Sequence, residues 1–175
     1  MKTNIRTHTR YLAILLAAAL VILGFTVALA DGNIDPAHQY AWNTSAGWIN
    51  FKSPMSEATV YKDHLEGIIW GENIGWIRLG SHVDGGAFTY ANTAADNYGV
   101  NRTPDGKLSG YAWGTNVGWI NFNPPSGGVT IDPLGVFDGY AWGENVGWIK
   151  FKGSGYGVVT KFRDTVIFLP VVIHN

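Results

Sequence analysis

Cysteine is absent from the 175-residue chain, which excludes disulfides, thiolate-held metals and a lipid-modified N-terminal cysteine. Stability has to come from packing. Charge is scarce as well: Asp, Glu, Lys and Arg make up 14% of residues, against roughly 25% in an average soluble domain. The formal net charge is −1, and without Lys2, Arg6 and Arg10 the 12 basic residues fall to 9 against 13 acidic ones, a balance of about −4. No basic run accompanies that balance, so the chain lacks the electrostatic footprint of a nucleic-acid or anionic-membrane partner. A nucleophile elbow, a phosphate-binding glycine loop and a zinc-spaced histidine pair are missing too. Glycine (23 residues) and aromatics (14%) are what the chain has in quantity, a composition that suits strands and tight turns.

The N-terminus reads as an export signal. Lys2, Arg6 and Arg10 precede an uncharged apolar run from Tyr11 to about Val27, which ends in Ala28-Leu29-Ala30 before Asp31. A basic stretch, an apolar stretch and small residues at the peptidase-read positions are the three parts of a secretory signal. Residues 1–30 are therefore expected to be a signal peptide cleaved after Ala30, and 31–175 a single all-β domain. The alternative is an uncleaved anchor, because the run approaches the roughly 20 residues that cross a bilayer.

Every tryptophan lies in one motif that occurs four times, from Gln39 to Phe51, Gly67 to Leu79, Gly110 to Phe122 and Gly139 to Phe151. The last copy reads Gly-Tyr-Ala-Trp-Gly-Glu-Asn-Val-Gly-Trp-Ile-Lys-Phe. The first tryptophans of successive copies are 28, 43 and 29 residues apart. The period is thus about 28 residues with one insertion, placed between Gly80 and Asn97. Such self-similarity marks an array whose units bury their apolar faces against neighbours. The expected architecture is all-β, with tandem three-stranded antiparallel units packed into one repeat domain.

Within the motif, Gly143-Glu144-Asn145 is turn chemistry flanked by aromatic and β-branched residues, which favours a hairpin. With Glu144 and Asn145 as a two-residue turn, Trp142 faces Gly147, Ala141 faces Trp148 and Tyr140 faces Ile149. That register places Trp42, Trp70, Trp113 and Trp142 in the core, and Trp48, Trp76, Trp119 and Trp148 nearer the surface. One more residue in the turn would bring both tryptophans of a pair to the same face. The position of Lys150 is Asn50, Arg78 or Asn121 in the other copies, always polar. Only the second and fourth copies carry the turn glutamate, Glu72 and Glu144.

Between the copies, Ala58-Thr59-Val60-Tyr61 reads as a short strand, and Tyr98 to Asn101 and Gly128 to Ile131 each read as a strand followed by a turn, at Thr103-Pro104-Asp105-Gly106 and Asp132-Pro133-Leu134-Gly135. Asp31 to His38, broken by Pro36, reads as a lead-in outside any element. Tyr156 to Thr160 looks like the opening strand of a fifth unit, and is expected to pair beside the first unit and remove an open edge. The apolar stretch from Thr165 to Ile173 would either pack on its own domain or add as an edge strand to another chain.

The motif resembles the tandem Gly-Tyr-Ala-Trp-x-Glu-Asn-x-Gly-Trp-Ile-x-Phe repeats of uncharacterised bacterial secreted proteins, over roughly Gln39 to Phe151. The resemblance implies an extracellular repeat protein and transfers no activity.

Three functions fit these readings. The first is a secreted, non-catalytic structural or adhesive surface protein, self-associating through its C-terminal strand or holding a cell-surface polymer. The second is a carbohydrate-binding module that stacks a glycan on Trp48, Trp76, Trp119 and Trp148. The third is a secreted hydrolase, for which no carboxylate pair stands out. No cofactor and no metal are expected. His38, His64, His82 and His174 read as scattered loop or edge residues, and the pairs Asp84 with Asp96 and Asp132 with Asp138 as turn formers ahead of calcium ligands.

Overall fold

The computed structural model describes residues 32–164, and the expected signal peptide and the apolar stretch from Thr165, with the readings made of them, lie outside the described residues. Among the described residues every regular element is a strand. Each motif copy forms one hairpin: β1 (Ile34–Asn43) with β2 (Gly47–Asn50), β5 (Leu65–Gly71) with β6 (Gly75–Arg78), β8 (Leu108–Gly114) with β9 (Gly118–Asn121), and β11 (Phe137–Gly143) with β12 (Gly147–Lys150). The short strands β3 (Lys52–Ser53), β4 (Ser56–Val60), β7 (Val100–Arg102), β10 (Gly128–Ile131), β13 (Lys152–Gly153) and β14 (Tyr156–Thr160) connect them.

The hairpins join edge to edge in a ring. β2 pairs with β5, β6 with β8, β9 with β11, and β12 returns to β1, giving a closed antiparallel barrel of eight strands. Closure leaves none of the eight strands with an open edge. A second tier lies along the chain-entry side of the barrel. There β4 pairs with the first half of β5, β7 with β8, β10 with β11, and the C-terminal β14 with β1.

This tier closes as well, through backbone bonds from Arg102 to Asp63 (2.7 Å), Ile131 to Gly106 (2.8 Å) and Thr160 to Gly135 (2.8 Å). The remaining gap is bridged by a side chain: Asn33 donates to Val60 O at 2.7 Å and accepts from Val60 N at 2.9 Å. The long strands bend between tiers at Gly67, Gly110 and Gly139, with φ of 99°, 88° and 97°. A Cβ at these positions would run into a carbonyl oxygen of the neighbouring strand, so only glycine fits. In the first copy Gln39 takes this place, and the pairing with β14 shifts register between Ile34 and Gln39 instead. That pairing draws the expected lead-in into β1, with Pro36 at the irregular stretch where a missing N–H is tolerated.

The interior is filled by the face that alternates with the tryptophans. Ala41 lies across from Ile49, Ile69 from Ile77, Ala112 from Ile120 and Ala141 from Ile149. Phe51, Leu79, Phe122 and Phe151 form the next layer, and Leu65, Leu108, Phe137 and Ile131 pack below them. All are buried, and the void left among the upper layers is only about 10 Å³. An eight-stranded barrel has just the width that side chains of this size can fill.

The expected core position of Trp42, Trp70, Trp113 and Trp142 is therefore wrong. The turn holds three residues, not two: Gly143 pairs with Gly147 and Trp142 with Trp148, and the other copies share this register. The extra residue turns the first tryptophan outward to stand beside the second.

Candidate functional site

The outer face of the barrel carries all eight tryptophans as four cross-strand pairs. Ring centroids are 4.6 Å apart in Trp42–Trp48 and Trp70–Trp76, 4.7 Å in Trp113–Trp119 and 5.0 Å in Trp142–Trp148, at interplanar angles of 59° to 74°. Edge-to-face contact of this kind sets the positive rim of one ring against the negative face of the other. Trp42 and Trp119 are half-buried, and the other six are 38% to 44% exposed. Around the ring, each first tryptophan also lies across from the polar position of the preceding hairpin: Trp42 from Lys150, Trp70 from Asn50, Trp113 from Arg78 and Trp142 from Asn121.

Each turn is tied to the turn before it. Asn73 donates to Ser45 O, Asn116 to Ile74 O and Asn145 to Val117 O, at 3.2 to 3.3 Å. At the junction of the last and first hairpins the buried Asn43 takes over, donating to Val146 O at 2.9 Å and Trp148 O at 2.8 Å. Its Oδ1 accepts from the amides of Ser45 and Ala46 within its own turn. Glu72 and Glu144 each add a further tie, accepting from Trp48 N at 3.2 Å and Trp119 N at 3.4 Å.

These two glutamates mark two open grooves of like construction. The first, of about 590 Å³, is lined by Tyr40, Trp48, Asn50, Trp70, Glu72 and Tyr156. The second, of about 410 Å³, is lined by Tyr111, Trp119, Glu144, Tyr98, Asn92 and Thr93. In each, a tyrosine and a tryptophan of one hairpin stand beside the turn glutamate of the next. A second tyrosine from outside the hairpin meets the tryptophan edge-on, Tyr156 at 5.2 Å from Trp48 and Tyr98 at 5.0 Å from Trp119. Burial raises the Tyr98 hydroxyl above its ordinary pKa, which keeps it a hydrogen-bond donor. A carboxylate accepts about four hydrogen bonds, so one backbone amide leaves most of the capacity of Glu72 and Glu144 unspent.

The grooves fall at the junctions between hairpins one and two and between hairpins three and four, on opposite sides of the ring. At the other two junctions the glutamate position is Thr115 or Thr44. Of the four tryptophans expected to take a ligand, Trp48 and Trp119 sit in the grooves. Trp76 is on the open outer face, and Trp148 lies against Gly127. Sequence reasoning missed Tyr98 and Tyr156, whose contacts arise from connections of different length, although both precede a glycine-valine strand start. Asp132 is a turn former, accepting from Leu134 N and Val136 N at 2.9 Å.

His64 and His82 are not scattered. The insertion after the second copy folds over β5 and brings His82 to 3.5 Å from Glu66, which His64 also meets at 2.9 Å. No family model, no curated protein and no solved structure matches this chain.

Proposed function

We propose that this protein is an exported, non-catalytic carbohydrate-binding protein that works as an adhesive at the cell exterior, each groove taking one glycan segment. The observation that carries the reading is the duplicated groove itself: Tyr40, Trp48, Tyr156 and Glu72 on one side of the barrel, Tyr111, Trp119, Tyr98 and Glu144 on the other. Sugar rings offer an apolar face of C–H groups and a rim of hydroxyls. An indole flanked by phenols provides area for the face, and the carboxylate, the phenols and the amides of Asn50 or Asn92 provide partners for the rim. Volumes of several hundred Å³ with few polar groups among aromatics are typical of small-ligand sites. Clusters of exposed apolar side chains rimmed by polar ones mark interaction sites, and six of the eight tryptophans are exposed.

The carboxylate sets the preference. It favours neutral or amino sugars over uronic and sialic acids, whose charge it would repel. Hydrolysis is disfavoured because glycosidases need two carboxyl groups roughly 5 to 9.5 Å apart, and each groove is lined by one. Two grooves facing opposite ways let one chain bridge two polymer strands, which raises avidity without new contacts.

A glycan array followed by calorimetry tests this. The expected result is two equivalents of a neutral or amino oligosaccharide per chain, one for Trp48→Ala, none for the Trp48→Ala/Trp119→Ala double variant, and two for Trp76→Ala. Binding by the double variant that equals the parent's would sink the proposal.

A further inference from the structure

The insertion between the second and third hairpins closes a polar cluster onto the flank of β5. Leu65 points into the core, so its neighbours His64 and Glu66 point outward, yet both are buried because residues 81–90 cover them. Nδ1 of His64 lies 2.7 Å from Asp63 Oδ1, and Nε2 lies 2.9 Å from Glu66 Oε1. The same Glu66 oxygen accepts from Gly85 N at 3.0 Å and is 3.5 Å from His82 Nε2. His82 Nε2 in turn lies 3.1 Å from Gly85 O. Aromatic rings fix both imidazoles: Tyr61 stacks on His64 at 4.7 Å and 7°, and Phe88 on His82 at 3.9 Å and 5°.

A carboxylate on each nitrogen of one buried imidazole poses a chemical problem. A neutral ring carries one N–H, so one of the two carboxylates would face a lone pair. An imidazolium, donating from both nitrogens, would satisfy both carboxylates, and so would a cation between Nε2 of His64 and Glu66, which the second imidazole, His82, beside the same oxygen favours. Nδ1–H then donates to Asp63, and the ring becomes the middle member of the carboxylate–histidine–metal arrangement that orients many metal ligands. Asp63 is held for this, since its other oxygen accepts from Phe88 N at 3.1 Å.

The geometry points to a binding site for one divalent transition cation of the zinc class, held by His64, Glu66 and His82. One donor atom from each of the three lies within 4.8 Å of the others. A tetrahedral site with bonds of about 2.0 to 2.1 Å needs donors about 3.3 Å apart; the two separations from Glu66, 2.9 and 3.5 Å, lie on either side of that figure, and the two imidazole nitrogens, within 4.8 Å of each other, must draw together as His82 Nε2 exchanges its contact with Gly85 O for the cation. Two imidazoles and a carboxylate are a ligand set zinc accepts, with a fourth position for water or a carbonyl oxygen. His82, half-buried at the rim, leaves the cation a way in. Bound there, it would staple the insertion to the barrel.

The test uses the full chain, stripped with chelator and titrated with zinc chloride by calorimetry and with cobalt chloride by absorption. One saturable equivalent, a four-coordinate cobalt spectrum and a raised Tm are expected. His82→Ala and Glu66→Gln should lose the site, Asp63→Asn should weaken it about 10- to 100-fold, and His38→Ala should leave it intact. His82 is at the rim, so its variant should fold even if His64→Ala does not, which tryptophan fluorescence checks. Absence of saturable binding by the parent, or equal binding by a folded His82→Ala, would overturn the assignment and leave a hydrogen-bonded cradle.

Discussion

Trp142 lies directly across the hairpin from Trp148, ring centroids 5.0 Å apart and planes at 74°. On an outer strand face such a pair stabilises through ring-to-ring attraction beyond what its burial provides. A double-mutant cycle with Trp142→Ala and Trp148→Ala should give a coupling of about 0.5 to 1.5 kcal/mol in urea unfolding. Additive single effects would show that the rings touch without holding the hairpin.

The third turn residue is accommodated by a glycine in left-handed backbone, Gly75 having φ of 76° with no atom nearer than 3.6 Å to where a Cβ would stand. Gly75→Ala should therefore cost only the conformational strain, about 1 to 2 kcal/mol, and Gly75→Asn less, because asparagine tolerates this region. At Gly67 the carbonyl of Glu57 occupies the Cβ site. Gly67→Ala should yield little folded protein, and a Gly67→Ala variant as stable as Gly75→Ala would contradict the two-tier geometry.

Asn43 closes the belt of turns with four hydrogen bonds, while Asn145 contributes one tie between turns. Asn43→Ala leaves buried backbone groups without partners and should destabilise by about 1 to 3 kcal/mol or more, against about 0.5 to 1.5 kcal/mol for Asn145→Ala. Thermal unfolding of the two variants side by side decides the order.

Acid should weaken the fold through the aspartates held below their ordinary value, Asp35, Asp63, Asp105 and Asp164. Hydrogen bonds from Arg102 hold Asp164 below its ordinary value of 3.8, and those from Lys107 and Thr103 bring Asp105 to about 2. Because the folded values are the lower ones, their contribution is present above about pH 4 and is lost as pH falls through the folded values. Urea midpoints between pH 5 and pH 2 should decline, and Asp164→Asn should make that decline shallower. An unchanged slope would mean that the Arg102 pair contributes nothing to it.

The four hairpins, the polar column at Asn50, Arg78, Asn121 and Lys150 and the pairing of Tyr156–Thr160 beside the first hairpin were legible, since each follows from composition and spacing, whereas the first half of β1 reads in sequence as a lead-in and the short β3 and β13 are not foreseen. The tryptophan faces were not. A strand pattern fixes which residues share a face but not which face is inside, and one turn residue reverses the answer. Size would have decided it: a barrel of eight strands has no room for eight indoles, whereas Ala141 and Ile149 fit. His64 and His82 were read apart because the covering insertion has no periodic pattern, so nothing local announces its path.

The closure of both tiers has a consequence for how the gene may be cut. Lys161 N donates to Asn33 O at 2.6 Å and Thr160 Oγ1 to the same oxygen at 3.1 Å, so the two ends of the described barrel meet. In a ring joined this way the seam is a matter of covalent history, not of packing. A rearranged gene that links Asp164 to Asn33 through a short spacer and opens at Gly86 should still yield the same barrel.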